Sequence, residues 1–188
     1  NTLLPLGQPY GTPPPGNPTP DWLYTGTESV GSIPSASIVD WVEVQLRDAT
    51  TAAGALPARV IARKVGFLMN NGIVVGLDGL SPLSFNSYFG HNLYAVVWHR
   101  NHLGVLSANS LTPVGGGYSY NFSTGSGQAY TTGIPAQKLL ATGIYGMKSG
   151  DGTGNGLVET TDKTVVWSTQ AGKTGYRDGD YNMNRQVN

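Results

Sequence analysis

The chain has 188 residues, with 27 Gly, 12 Pro, no Cys, 12% charged and 39% hydrophobic residues, and 10% aromatics. So many glycines and prolines with so few charges exclude a coiled coil or helical bundle, and the apolar content excludes a disordered chain. Eleven basic residues balance eleven acidic ones, so no basic field recruits nucleic acid, and no apolar run reaches the ~18 residues of a membrane span.

The first zone, residues 1–35, reads as a Pro-rich extended arm. Leu3, Leu4 and Leu6 precede the proline tract that runs from Pro13 to Pro20. Proline locks φ and removes a donor, so helix is excluded and polyproline-like backbone is favoured. One reading is a semi-rigid linker. The sharper one is an arm that pairs with the sheet edge of another copy, with Leu3, Leu4 and Leu6 as anchors. Trp22 and Tyr24 either anchor a partner or pack the arm onto the body that follows.

Residues 36–147 read as short strands separated by turns. Residues 38–46 alternate, with Val42, Val44 and Leu46 on one face and Trp41, Glu43 and Gln45 on the other. Residues 59–69 alternate as well, and Asn71-Gly72 marks a tight hairpin into 73–77. Further strands are expected at 82–85, 93–98, 105–110, 118–122, 137–141 and 144–147. This spacing predicts an all-β fold, expected to be an Ig-like antiparallel β-sandwich. Trp41, Trp98 and Trp167 lie in apolar patterns and are expected in the core. His99-Arg100-Asn101-His102 follows the 93–98 strand and reads as a structured turn rather than a metal or catalytic site. No Gly-x-Ser-x-Gly or other nucleophile motif is present. Asn121-Phe122-Ser123 fits a glycosylation sequon.

Residues 148–188 change character. Residues 151–162 fit the twelve-position calcium loop, in which alternate side chains of one tight turn present oxygens to a hard cation. Asp151, Thr153, Asn155, the Leu157 carbonyl, Glu159 and Asp162 are its expected ligands. Gly156 permits the sharp turn, and Val158 is expected to tie the loop to the core. A second copy starts at Asp180, with Asn182, Asn184, the Gln186 carbonyl and Asn188 as ligands and Arg185 in place of the turn glycine. Residues 163–170 between them are expected to be helical. The second loop stops short of its twelfth position, so the sequence is expected to be a piece of a longer chain.

The tandem loops resemble the dockerin repeat, in which the twelfth position is Asp and opens a short helix. The wider stretch resembles haemagglutinin-like surface proteins of Bacteroidota associated with type IX secretion. The residues that carry this are 38–49 (Ile-Val-Asp-Trp-Val-Glu-Val-Gln-Leu-Arg-Asp-Ala), Asp78-Gly79, residues 81–85, residues 98–105 and the two loops. The resemblance implies an exported β-domain with a C-terminal calcium segment. Together with the low charge and absent cysteine, it sets the expectations. These are an extracellular or cell-surface structural module and not an enzyme, with Ca2+ as its ligand and other copies or a neighbouring surface protein as partners. The arm is expected to assemble such copies into a pilus-like filament. The alternatives are a carbohydrate-binding adhesin that uses exposed Tyr and Trp, or an accessory domain of a large secreted enzyme.

Overall fold

A computed structural model describes residues 4–188. Its body is a five-stranded antiparallel sheet, ordered β3-β2-β1-β4-β5. The strands are β1 (Ile38–Ala49), β2 (Val60–Met69), β3 (Val74–Val75), β4 (Asn92–His99) and β5 (His102–Leu106). Two hairpins follow: β6 (Thr112–Val114) with β7 (Gly117–Ser119), and β8 (Gln137–Ala141) with β9 (Ile144–Met147). The all-β expectation holds. Residues 82–85 are extended but form no strand, and the third strand shrinks to two residues.

β1 is central and buried over nearly its whole length. Its period-two pattern sorts the sheet into two faces. Trp41, Glu43, Gln45 and Arg47 lie beside Phe67, Val65 and Arg63 on β2, and beside Trp98, Val96 and Tyr94 on β4. Val42, Val44 and Leu46 lie beside Gly66, Lys64 and Ala62, and beside Val97 and Ala95, on the other face. The second face is covered by the extended connection before β4. Leu83 sits over Gly66, and Phe85 packs against Leu46, Leu93 and Ala95.

The first face is covered by residues 4–35. Tyr10 (0% exposed) and Trp22 (2%) join Trp41, Phe67, Val65, Val96 and Trp98 in one apolar cluster. Burying two such side chains contributes about 2–3 kcal/mol each. The segment doubles back on itself: the Gln8 N–H donates to Glu28 O, Tyr24 N–H to Tyr10 O, and Val30 N–H to Leu6 O. It meets the sheet through side chains. Tyr10 O–H donates to Trp41 O (2.9 Å), and Trp41 Nε1 donates to Pro5 O (2.9 Å). The Pro-rich stretch is therefore a cover docked on its own sheet. Aromatic burial decides its place, which proline content alone does not specify. Leu4 is half-buried against the cluster and Leu6 is 47% exposed. Leu3 lies outside the described residues.

Candidate functional site

The two loops have one hydrogen-bond scheme. In the first, Asp151 accepts from the N–H of Asn155 and of Gly156, both at 3.0 Å. In the second, Asp180 accepts from the N–H of Asn184 (3.1 Å) and of Arg185 (2.8 Å). The next residue along is held alike: Leu157 N–H donates to Asn155 Oδ1, and Gln186 N–H to Asn184 Oδ1. Both loops turn left-handed at the same two positions. These are Gly154 (φ 64°) and Gly156 (φ 81°) in the first, and Met183 (φ 57°) and Arg185 (φ 74°) in the second. Side chains at such angles cost about 1–2 kcal/mol per residue, so the second loop keeps the turn against its own local preference.

Asp162 closes the first loop. Its carboxylate accepts from the Thr153 N–H and hydroxyl and from the Glu159 N–H. It also begins the helical stretch, an expanded turn over Asp162–Trp167 that runs into one α turn, Ser168–Gln170. Asp151 and Asp162 are both buried. Burial pushes the Asp151 pKa up to about 6, the Gly156 N–H opposes this, and the Asp162 charge adds to it. The Asp162 charge makes ionising the buried Asp151 costlier, a cost that a nearby cation would relieve. Asn155 Nδ2 donates to Glu159 (2.8 Å) and the Thr153 hydroxyl to Asp162 (2.8 Å), while Asp151 accepts from the loop's own backbone. Among the described residues, no three Asp, Glu or His side chains converge on a point that suits a metal ion. Hydroxyl, amide and backbone oxygens must supply the rest of any shell.

Position eight differs between the loops. Val187 is buried (1% exposed) because its backbone pairs with residues 172 and 173: the Gly172 N–H donates to Val187 O, and the Val187 N–H to Lys173 O. Val158 is 54% exposed and lies against Gly150. The expectation that Val158 ties the first loop to the core is thus corrected. Trp167 is half-buried rather than fully in the core, and its Nε1 donates to Asn188 O (3.3 Å).

The segment is fixed to the sheet by the His99–His102 turn. Asn101 is fully buried and donates through Nδ2 to Asp178 O (3.0 Å) and Asp180 O (2.9 Å). The Gly150 N–H returns a bond to Asn101 O (3.0 Å), so one asparagine grips both loops. Beside it, buried Asp40 accepts from Tyr176 O–H (2.7 Å) and lies 3.0 Å from His99 Nε2 and 3.4 Å from Arg100 Nε. Burial pushes the Asp40 carboxyl up, but His99, Arg100 and Tyr176 outweigh it and hold it below the ordinary range. The Arg100 guanidinium stacks 4.0 Å over the Tyr176 ring and donates to Arg177 O. His102 Nδ1 is 3.0 Å from His99 Nδ1 and 2.8 Å from Asn101 Oδ1. Burial, with the charges of His99 and Arg100, lowers the His102 pKa to about 3. Residues 100 and 101 form the expected turn, and its grip on the C-terminal segment is what the sequence did not disclose.

The N-terminal cover also touches the first loop. Asn17 Nδ2 donates to Gly154 O (3.2 Å), and the Trp22 indole lies so close to Gly154 that a Cβ there would stand 2.4 Å from Nε1. Gly16 packs on Val165 and Thr153. The Asp151, Thr153 and Asp162 group therefore sits between helix and cover, while the Asp180, Asn182 and Asn184 group sits on the His99–His102 turn. The two loops also touch, as Tyr181 O–H donates to Asp162 O (3.1 Å).

Comparison with family models, with characterised proteins and with solved structures finds no match to this chain.

Proposed function

We propose that the chain is a non-enzymatic, extracellular structural module of a surface or filament-forming protein. In this reading calcium holds a dockerin-like segment (148–188) against an Ig-like β-body (36–147). The observation that carries it is the repeated loop: the same acceptor pattern at Asp151 and Asp180, and the same two left-handed positions, from two different sequences. Asp151, Thr153, Asn155, the Leu157 carbonyl, Glu159 and Asp162 would hold one ion. Asp180, Asn182, Asn184, the Gln186 carbonyl and Asn188 would hold another. These are hard oxygen donors of the type calcium takes. Bound calcium would neutralise the buried Asp151–Asp162 pair and fix both loops against the sheet and cover.

Extracellular calcium modules bind at roughly 10⁻⁴–10⁻³ M. At about a hundred times that constant, the ion adds about 2.7 kcal/mol of stability. Calorimetric melting with calcium and with a chelator tests this. The shift is expected in the native chain and lost in Asp151→Ala/Asp162→Ala, and a double variant with the full shift overturns the assignment.

The proposed partners are other copies or a neighbouring surface protein. Residues 4–35 cover their own sheet, so joining copies through them requires exchange of that cover rather than addition of a free arm. Filaments that fray on chelation, seen by electron microscopy, support the assembly; monomers in both conditions count against it. An adhesin reading draws on exposed aromatics. Tyr88 is 95% exposed, and Phe89 meets Tyr118 edge-on at 5.7 Å beside the shallow dish of the β6–β7 turn. Glycan-array binding that Tyr88→Ala/Tyr118→Ala abolishes would favour it.

A further inference from the structure

Glu43 lies at the centre of the covered face with its side chain 0% exposed. Neither carboxylate oxygen has a hydrogen-bond donor in the described structure. Native proteins seldom leave such a group unpaired, because a buried charge without a partner is costly. Around it stand Gln45 and Arg47 on its own strand, Arg63 on β2 and Trp98 on β4, with Tyr10 and Tyr24 in the cover. Trp98 Nε1 has no partner either. The nearest cation is Arg63, whose Nη1 is 4.0 Å from Glu43 Oε1. That same Nη1 is committed to the cover: it donates to Asp21 O (2.9 Å) and Leu23 O (3.2 Å). Gln45 Nε2 adds a bond to Asp21 O (3.0 Å). Arg63 is thus placed between a carboxyl it meets only at the outer limit of an ion pair and two carbonyls that it holds.

We propose that residues 4–30 form a pH-released strap, in which ionisation of Glu43 draws Arg63 from the carbonyls of Asp21 and Leu23 and unlatches the strap from the sheet. The strap suits release. Its backbone bonds run within itself, and among the described residues its ties to the sheet are side-chain bonds and apolar contact. The exposed turn residues around Gly31 and Ser32 connect it to β1.

Burial raises the Glu43 pKa to about 8 from an ordinary 4.5, against the opposing pull of Arg63, Gln45 and Arg47. Once the strap lifts, water returns the carboxyl to its ordinary range. The closed form therefore binds the proton more tightly. Closure is strongest below pH 4.5, weakens by up to roughly tenfold per pH unit towards pH 8, and is level above that. Tyr10 and Tyr24 are both held above their usual range, by burial first, and stay protonated throughout. Asp151 titrates in the same interval beneath Trp22, so the test must separate the two. The proposal does not rest on calcium binding.

Hydroxyl-radical footprinting of the full chain from pH 5 to pH 9, at fixed ionic strength and fixed calcium, reads the strap directly. Oxidation of Trp22, Trp41 and Trp98, relative to Trp167, is expected to rise at least fivefold between pH 5 and pH 8.5. In Glu43→Gln, which keeps shape and removes the charge, it stays at the low-pH level. In Arg63→Gln it is high already at pH 5. A native profile flat with pH, or a Glu43→Gln profile that rises like the native one, overturns the proposal. An Arg63→Gln profile equal to the native one overturns it as well.

Discussion

The two loops near the C-terminus share a backbone and differ in what holds it. The first has glycine at both left-handed positions, so its turn is locally cheap. The second has Met183 and Arg185 there and turns the same way, under the grip of Asn101 on the carbonyls of Asp178 and Asp180. The first leaves Val158 in solvent, and the second buries Val187 beneath backbone pairing to residues 172 and 173. One conformation is reached by local propensity in one place and by tertiary anchoring in the other.

That contrast can be broken from either side. Asn101→Ala removes both side-chain bonds and leaves the Asp178 carbonyl without its donor, while Asp180 O keeps the Met183 N–H. It is expected to cost about 3 kcal/mol, with hydrogen exchange in residues 176–188 accelerating far more than in 151–158. Val187→Ala is expected to cost about 2 kcal/mol in denaturant unfolding, whereas Val158→Ala stays within about 0.5 kcal/mol because the side chain is exposed. Gly156→Ala should lose about 1 kcal/mol by forcing a side chain into the left-handed region. Met183→Gly should gain about 0.5 kcal/mol for the opposite reason, less the extra freedom of the unfolded chain. Equal effects at Val158 and Val187 would mean that the two loops are held alike after all.

Much of the β-body was legible. The alternation of Trp41, Glu43 and Gln45 against Val42, Val44 and Leu46 marked β1 as a strand, though not as the central one with both faces covered, and β8 and β9 fall where the pattern put them. Residues 82–85 misled, because Leu83 and Phe85 alternate for packing over Gly66 and Leu46 without a strand partner. The loops were legible from the spacing of Asp, Asn and Gly. Their anchors were not: Asn101 is far from either loop in sequence, and nothing local marks its amide for Asp178 and Asp180. Glu43 escaped notice for the same reason. It reads as an ordinary polar position on an alternating strand until Tyr10 and Trp22 close over it.

Sequence by itself determined the all-β body, the places of the turns and the twelve-position rhythm of the loops, because strand alternation, left-handed glycines and side-chain caps act within a few residues. Only the tertiary structure decided that the Pro-rich segment covers its own sheet, that the histidine turn is a clamp, and that Glu43 is buried with no hydrogen-bond donor at its carboxylate and Arg63 only at 4.0 Å. Those outcomes depend on desolvation and hydrogen bonding between residues distant in the chain, and no local pattern encodes which distant groups will meet.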